Sequence, residues 1–431
     1  MIQHQDVRPA AASAGTQKYG TAFAVITTLF FMWGFVTVLN DILIPHLKAI
    51  FDLNYQWSTF VQSIFFLGYF IFALPSSRII AALGYQRSIT VGLCVMGAGA
   101  LIFVPAAMVP SYPVFLLAFF VLASGMTILQ VAANPYVAAL GPPEKASSRL
   151  NLAQALNSLG TTVGPAIGGY LILSNKTVST AGLNAVQLHA QQVLEASSVK
   201  LPYIGIALLL FVLAFVLSRF HFPILTQIED ADHHVHASGS VWHYPHLILG
   251  AVGIFVYVGA EVAIGSLLVS YLTQPNIAAL TPVTAARYLS LYWGGLMVGR
   301  LAGSAIMRKI RPGTVLGYAA LIAFALVAIT IITTGQVAMW SVILVGLFES
   351  IMFPTIFTLG IDGLGKLTEK GSGVLIMAIV GGAVIPNAMG RLADAIGLHL
   401  SFILPAICFL YIMYYGWRGS KHKPIPAATG V

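Results

Sequence analysis

Twelve apolar runs of about 20 residues recur along this 431-residue chain, and they constrain its fold more than any other feature. A helix needs about 20 apolar residues to cross the hydrocarbon core of a bilayer. Hydrophobic residues make up 58% of the chain and charged residues 8%, whereas ordinary globular domains carry about 25% charged residues. The strands of transmembrane β-barrels alternate polar and apolar residues, so the sequences of such proteins are far less hydrophobic than this one. The runs therefore predict an all-α polytopic membrane protein with 12 transmembrane helices.

The predicted spans form two sets of six, separated by a polar segment. The first set lies near 21–46, 58–82, 87–109, 113–140, 150–173 and 201–220, and the second near 246–274, 286–307, 314–334, 338–361, 372–394 and 399–417. The predicted units are a tail at 1–20, a six-helix bundle at 21–220, a linker at 221–245, a six-helix bundle at 246–417 and a tail at 418–431.

An even number of spans places both termini on the same side of the membrane. Of the 21 Lys and Arg residues, 15 lie on the side of the termini and 5 on the other side, while Arg300 lies within a span. Because positive charges favour cytoplasmic loops, we expect both termini in the cytoplasm and the protein in the plasma (bacterial inner) membrane. The net charge of +8 is accordingly interpreted as a topology signal, not as a nucleic-acid-binding surface.

Two interruptions recur in matching spans of the two halves. Spans four and ten share a proline followed six residues later by a glycine, at 135–141 and 354–360. Spans five and eleven share a proline followed four residues later by a glycine, at 165–169 and 386–390. Matched interruptions of this kind point to a transport site near the membrane midplane, between two repeats. We therefore expect two pseudo-repeat bundles with the site between them.

Glycines at every fourth position mark spans five and eight, at 160, 164 and 168 and at 295, 299 and 303. Small residues at this spacing let two helix backbones approach closely. The pattern predicts that these two helices meet through their glycines across the interface between the halves. The alternative is that each glycine face packs within its own half.

Only three of the 13 acidic residues fall well inside predicted spans: Asp41, Glu261 and Glu349. A charged side chain at the bilayer centre costs about 2.5–3.5 kcal/mol on insertion scales, so each needs a partner or a purpose. We expect these three to take part in proton or ion coupling, with Asp41 the strongest candidate. The alternative for each is a neutral acid hydrogen-bonded to a neighbouring helix.

Neutral polar groups accompany the acids within the spans. The candidates for substrate binding are Asn40, Gln130, Asn134, Gln154, Asn157, Tyr257 and Asn387. Amides offer both donors and acceptors, which suits the paired hydroxyls of a sugar. Aromatic rings can also stack on the apolar face of a pyranose, and the candidates are Trp33, Tyr257, Tyr292 and Trp293; the alternative for each is a lipid-facing or core position. For the amides the alternative is interhelical hydrogen bonding, worth about 0.6 kcal/mol for each group.

Several other classes of protein lack support in the sequence. Cys94 and Cys408 both lie in apolar segments, so neither a disulfide framework nor a zinc site is expected. The histidines of the linker match no standard ligand spacing, and we interpret that segment as a solvated linker. No Walker loop, zinc motif or nucleophile elbow is present, which argues against an ATP-driven pump or a membrane enzyme. We expect no metal and no cofactor.

Four stretches make a resemblance recognisable. They are LNDILIPH at 39–46, LQVAANPYVAALGP at 129–142, RLNLAQALNSLG at 149–160 and FPTIFTLGI at 353–361. Together they resemble the fucose–galactose–glucose symporter branch of the major facilitator superfamily, over about residues 22–417. The resemblance implies alternating access between two six-helix bundles and sugar uptake coupled to an ion. It also implies proton coupling at the position of Asp41 and sugar binding at the position of Asn157.

The chain departs from the fucose permeases at informative places. The carboxylate that they carry on span four is Gln130 here, while span seven has gained Glu261. The chain therefore resembles the glucose/galactose and amino-sugar members more than the fucose permeases. The loop between spans two and three also lacks the acidic residue usual in the superfamily, with Ala81 standing near Gly84. The usual charged cytoplasmic lock is therefore not expected at this loop.

These observations predict a monomeric transporter that imports a hexose such as glucose or galactose, or else fucose or N-acetylglucosamine. Symport with a proton is the expected coupling, and sodium symport is the alternative. An exporter of sugars or drugs by proton antiport is a further alternative, because carboxylates drive antiport as well. The expected partners are a small sugar and the lipid bilayer, with no nucleic acid.

Overall fold

The structure is a computed structural model, and it describes residues 10–51, 55–172, 199–220 and 240–421, with positions 193 and 197. Within these ranges the side chains of residues 10–19, 40–42, 44–46, 48–49, 55–59 and most of 165–172 are not described. The linker histidines at 221–236 therefore lie outside the described residues, as do the side chains of Asn40 and Asp41.

The described chain is almost entirely helical. The α-helices are α1 (Ala10–Ile50), α2 (Tyr55–Met108), α3 (Tyr112–Ala139), α4 (Ala146–Ile172), α5 (Lys200–Arg219), α6 (Pro245–Leu272), α7 (Pro282–Ile306), α8 (Pro312–Ile332), α9 (Gly335–Glu349), α10 (Met352–Ile361), α11 (Thr368–Met377), α12 (Gly381–Ile396), α13 (Leu398–Ser401) and α14 (Ile403–Tyr414). Short 3-10 turns lie at Pro143–Lys145, Val241–His243, Gly365–Leu367 and Ala378–Val380, and a π turn lies at Tyr415–Gly419.

All twelve predicted spans have a helical counterpart. The long helix α2 is broken at Gly84, whose backbone is not helical (φ 76°, ψ 170°), so it contains spans two and three. Spans ten, eleven and twelve are each divided, into α9 and α10, α11 and α12, and α13 and α14. In the described chain, nine helical segments are long and apolar enough to cross a membrane, and Phe60–Met108 is one of them. The helices α4 and α7 are not among the nine, and both carry buried polar side chains.

The helices pack as two bundles that meet along a shared face. In the first half α2 packs on α3 and α5, and α1 packs on α4. In the second half α6 packs on α10 and α12, and α8 and α9 complete the bundle with α7 and α14. The main contacts between the halves join α4 to α7 and α2 to α11, which are spans five with eight and two with eleven. In the repeat, span two of the first half corresponds to span eight of the second, and span five corresponds to span eleven. The contact between spans five and eight is therefore equivalent to the contact between spans eleven and two. The predicted fold of two pseudo-repeat bundles is confirmed.

The glycine prediction is half right. The helices α4 and α7 do pack against each other across the interface, but not through the described glycines. A Cβ at Gly160 would lie 2.2 Å from the carbonyl oxygen of Phe31 on α1. A Cβ at Gly299 would lie 2.1 Å from the carbonyl oxygen of Leu347 on α9. The glycine faces therefore allow close packing within each half, and other residues of α4 and α7 make the contact between halves.

Candidate functional site

A cavity of about 870 Å³ lies between the two halves. Helices α1 to α4 supply one wall, and helices α6, α7 and α10 supply the other. Its polar side chains are Thr37, Gln62, Tyr69, Gln130, Gln154, Asn157, Ser158, Thr161, Tyr257, Glu261, Ser266, Ser290 and Arg300. Aromatic rings, among them Trp33 and Trp293, cover much of the remaining surface.

The cavity extends from the middle of the protein towards one end only. We call the end that carries Gly84, Pro143–Lys145 and Arg311 the inner end, and the opposite end the outer end. On α4, which begins at the inner end, the lining starts at Gln154 and continues outward to Thr161. On α6, which runs in the same direction, the lining starts at Tyr257 and continues to Val269. The lining therefore covers the middle and outer parts of these helices.

Contacts between the halves close the inner end. The hydroxyls of Ser147 and Thr358 lie 2.6 Å apart, and Ser148 donates to the carbonyl of Ser304 at 2.7 Å. Ser304 donates in return to the carbonyl of Ser148 at 2.9 Å. Further links join Asn151 to Thr355, Ser372 to the carbonyl of Val131, and Tyr85 to the carboxylate of Glu369. We call this set of contacts the inner seal; hydroxyls, amides and backbone carbonyls make most of it.

Three predicted amides line the wall of the first half. Gln130 donates to the hydroxyl of Tyr69 at 2.5 Å, and Asn157 donates to the carbonyl of Phe30 at 3.0 Å. Gln154 projects from α4 one turn before Asn157. All three are buried among the helices, and the Oε1 of Gln130 and the Nε2 of Gln154 have no hydrogen-bond partner among the residues that the structure describes. In this conformation both atoms are shielded from solvent, so the wall holds one acceptor and one donor whose hydrogen-bonding capacity is unused.

An acid and a base face these amides from the second half. A guanidinium nitrogen of Arg300 lies 4.0 Å from Oε1 of Glu261. The same guanidinium reaches across to the first half, where it donates to the carbonyl of Gln154 at 3.2 Å and to the hydroxyl of Ser158. Within its own half it donates to the carbonyl of Ser350 at 3.1 Å. Arg300 is only 8% exposed, so these contacts hold a buried charge in place.

The third acid lies behind this wall. Glu349 ends α9 and is 0% exposed, and it does not line the cavity. Neither carboxylate oxygen meets the criteria for a hydrogen bond with a group that the structure describes. It remains within electrostatic reach of Glu261, Tyr292 and Arg300. Two acids and one base thus share a buried cluster on the second half.

The structure brings five of the ten predicted site residues together in the cavity: Gln130, Gln154, Asn157, Tyr257 and Glu261. Asn134 is fully buried one turn from Gln130 and does not reach the cavity. Asn387 is exposed on α12 and bonds only to the carbonyl of Ala383 in its own helix, because the opposite face of α12 packs on α6. The predicted roles of Asn40 and Asp41 rest on side chains outside the described residues.

Arg300 and Tyr69 are two of the polar cavity residues that sequence reasoning missed. The signal for Arg300 was available, because a cation within a predicted span is as costly as an acid there. For Tyr69 no such signal existed, since one tyrosine among many aromatics carries no pattern. Of the predicted stacking rings, Trp33, Tyr257 and Trp293 line the cavity. Tyr292 instead donates to the carbonyl of Glu261 from a buried position.

These groups can recognise a small polyhydroxyl molecule. Amides and the Glu261–Arg300 pair supply donors and acceptors, and aromatic rings supply flat apolar surface. In the described part of the chain, no group of three or more His, Cys, Asp or Glu residues is arranged to hold a metal. The described lining thus combines hydrogen-bonding groups with apolar surface, which suits the binding of a small molecule.

Comparisons with known proteins agree with this description. The family model of the Major Facilitator Superfamily matches residues 21–386. The chain is 52% identical over 414 residues to a glucose/galactose transporter of Brucella abortus, covering 96% of this chain and 98% of that protein. It is 35% identical to the L-fucose-proton symporter of Escherichia coli K12, covering 96% and 97% of the two chains.

A solved structure matches as well. The crystal structure of a Major Facilitator Superfamily transporter, FucP, in the outward conformation superposes with a TM-score of 0.85 at 34% sequence identity. The match covers 94% of this chain and all of that one. The predicted absence of enzymatic function is confirmed, since the family consists of transporters. The chain belongs to the Major Facilitator Superfamily, within the branch that contains its glucose/galactose and L-fucose transporters.

Proposed function

We propose that this protein is a secondary active transporter that imports a neutral monosaccharide together with a proton, by alternating access. It would work as a monomer in the bacterial inner membrane, with both termini in the cytoplasm. The names of its relatives support sugar as the substrate, and the name of the fucose relative supports proton symport. A hexose such as galactose or glucose is the substrate that we propose.

One observation carries the proposal, namely a polar cavity between the halves that is closed at the inner end. Its first wall presents the amides of Gln130, Gln154 and Asn157, and its second wall presents Glu261 and Arg300. A hexose has hydroxyls around its whole ring, so it can bond to both walls at once. The rings of Trp33 and Trp293 suit the apolar face of a pyranose. Ligand contacts to both halves would favour the motion that closes the cavity.

For ion coupling we propose the three intramembrane acids. Asp41 would take a proton from the outer side, and its neutralisation would ease closure of the site. Glu261 and Glu349 would take part in coupling from the second half. The first half has Gln130 in the position where the fucose permeases carry their second carboxylate. One proton moving through 100 mV supplies about 2.3 kcal/mol, enough for roughly fifty-fold accumulation.

The substrate is tested by counterflow in proteoliposomes loaded with unlabelled sugar. We expect labelled galactose or glucose to accumulate transiently inside, and we expect fucose and N-acetylglucosamine to compete less well. Liposomes without protein give the background. Failure of all four sugars to exchange would contradict the proposed function.

The coupling ion is tested in energised vesicles. Replacing sodium with choline at fixed pH should leave accumulation unchanged, whereas collapsing the proton gradient should abolish it. Asp41→Asn should retain counterflow and lose accumulation against a gradient, because exchange needs no net proton movement. Accumulation by Asp41→Asn at the wild-type level would contradict the role of Asp41.

A further inference from the structure

Buried amide atoms without hydrogen-bond partners are concentrated on two helices of the first half. They are the Oε1 of Gln130 and both side-chain polar atoms of Asn134 on α3, and the Oδ1 of Asn151 and the Nε2 of Gln154 on α4. Leaving a buried donor or acceptor unpaired destabilises a protein unless water or a ligand completes the bond. Five such atoms on neighbouring helices mark a region where water or a polar ligand would complete the hydrogen bonds.

Two of the four residues lie beyond the cavity. Gln130 and Gln154 line it, but Asn134 and Asn151 do not. Asn134 follows Gln130 by four residues on the same face of α3, and Asn151 precedes Gln154 by three residues on the same face of α4. Because α3 and α4 run in opposite directions, both displacements point to the inner end. They amount to about 6 Å on α3 and about 4.5 Å on α4 along the helix axes.

Both asparagines lie close in sequence to contacts of the inner seal, because Asn151 bonds to Thr355 and the carbonyl of Val131, three residues before Asn134, accepts from Ser372. The amide of Asn151 donates to the carbonyl of Ser147 at 2.8 Å and to the hydroxyl of Thr355 in the other half at 3.2 Å. Asn134 is 0% exposed, and within the described part of the chain neither its Nδ2 nor its Oδ1 has a hydrogen-bond partner. When the halves separate at the inner end, the hydrogen bond from Asn151 to Thr355 breaks, and one N–H of the Asn151 amide becomes free to donate to a ligand. Asn134 offers a donor and an acceptor on one side chain.

We infer that Asn134 and Asn151 form a second hydroxyl-binding station, which a sugar occupies on its way to the inner side. This inference rests on the proposed function. On each helix the unpaired amide atoms follow one another towards the inner end, from Gln130 to Asn134 on α3 and from Gln154 to Asn151 on α4. A hexose that leaves the cavity exchanges hydroxyl contacts with one pair of amides for contacts with the next. The station contributes to binding from the inner side and not to binding from the outer side.

The test compares the two faces of the membrane. The galactose concentration that gives half-maximal transport (half-saturation) is measured with labelled galactose in right-side-out and inside-out vesicles. The vesicles contain the wild type or Asn134→Leu, a variant that keeps a similar side-chain shape and removes the amide. We expect Asn134→Leu to raise half-saturation from the inner side about fivefold, the typical effect of one lost hydrogen bond. From the outer side we expect a change of less than about twofold. The control is Asn276→Leu, an exposed amide between α6 and α7, which should change neither value.

Other outcomes are equally informative. If Asn134→Leu leaves the half-saturation concentration on the inner side unchanged, or raises it equally on both sides, the proposed second station is wrong. If Asn134→Leu does not fold, Asn134→Ala and Asn151→Ser take its place. A purely structural role would lower the melting temperature of these variants; we expect Asn134→Leu to melt no lower than wild type, since Asn134 has no bond to lose. Wild-type vesicles that transport no hexose from either face would overturn the proposed function instead.

Discussion

At the scale of single residues, Arg300 ties the second half of the site to the first. Its guanidinium contacts Glu261, the carbonyl of Gln154 and the hydroxyl of Ser158. A buried charge that loses its partner is strongly destabilising, whereas removing both partners of a buried pair is often tolerated. Arg300 and Glu261 should therefore behave as a coupled pair.

We expect Arg300→Gln to lose about 3 kcal/mol of stability, because Glu261 is left as an unpaired buried charge. The double variant with Glu261→Gln should recover part of that loss, since no charge is then left alone. Thermal unfolding of the purified protein in detergent measures both effects. Arg308→Gln, at an exposed arginine, is the control. Additive losses in the double variant would contradict the coupling.

At the scale of helices, glycine faces decide which side of α7 meets which neighbour. Gly295 and Gly299 let α7 approach α9 within the second half. Consecutive positions on a helix point about 100° apart, so Arg300 leaves α7 beside that contact; it donates to the carbonyl of Ser350 at the end of α9 and also reaches α4. Close packing on one face thus determines which polar residue reaches the cavity.

The prediction at this scale uses two glycines of α7. A Cβ at Gly299 would lie 2.1 Å from both the carbonyl oxygen of Leu347 and the hydroxyl of Ser350, whereas a Cβ at Gly294 would meet nothing within 4 Å. We expect Gly299→Ala to lose about 1–3 kcal/mol, because α7 must move away from α9. Gly294→Ala should be neutral or slightly stabilising. Equal melting temperatures for the two variants would show that the α7–α9 contact is not tight.

At the scale of the whole molecule, the two halves hold the inner end shut while the cavity reaches outward. Alternating access requires this seal to separate and the outer part to close. The seal is made largely of neutral groups, such as the paired hydroxyls of Ser148 and Ser304 at 3.2 Å. Neutral contacts are screened little by salt, so opening should depend weakly on ionic strength.

A cross-link through the seal tests this motion. In a background without Cys94 and Cys408, the double variant Ser148→Cys and Ser304→Cys should form a disulfide on oxidation, since the two side chains already touch. We expect oxidation to abolish transport and reduction to restore it. The variant Thr161→Cys places a thiol in the cavity. This thiol should react with an external thiol reagent whether the engineered pair is oxidised or reduced. The single-cysteine variants are the controls, and transport by the oxidised double variant would refute the motion.

Much of the fold followed from the sequence alone. The twelve spans, the two repeats and the concentration of polar residues in spans four, five and seven all come from local hydropathy and spacing. The sequence also placed Gln130, Gln154, Asn157, Tyr257 and Glu261 in one site, as the cavity has them. The sequence also named Asn387, which the structure places on an exposed face of α12 outside the cavity, because an amide looks the same in the sequence whichever way its helix faces.

The difference between these outcomes has a physical origin. A backbone in hydrocarbon must satisfy its own hydrogen bonds, so an apolar run of sufficient length determines a helix without reference to the rest of the chain. The direction in which a side chain of that helix points depends on which face packs on a neighbour, and lipid is as apolar as a helix interface. The sequence by itself therefore determined how many helices exist and which carry costly polar groups. Only the tertiary structure decided that Arg300 bonds to Gln154 in the other half and that the described glycines pack within each half. It also decided that Asn134 lies on the inner side of the cavity.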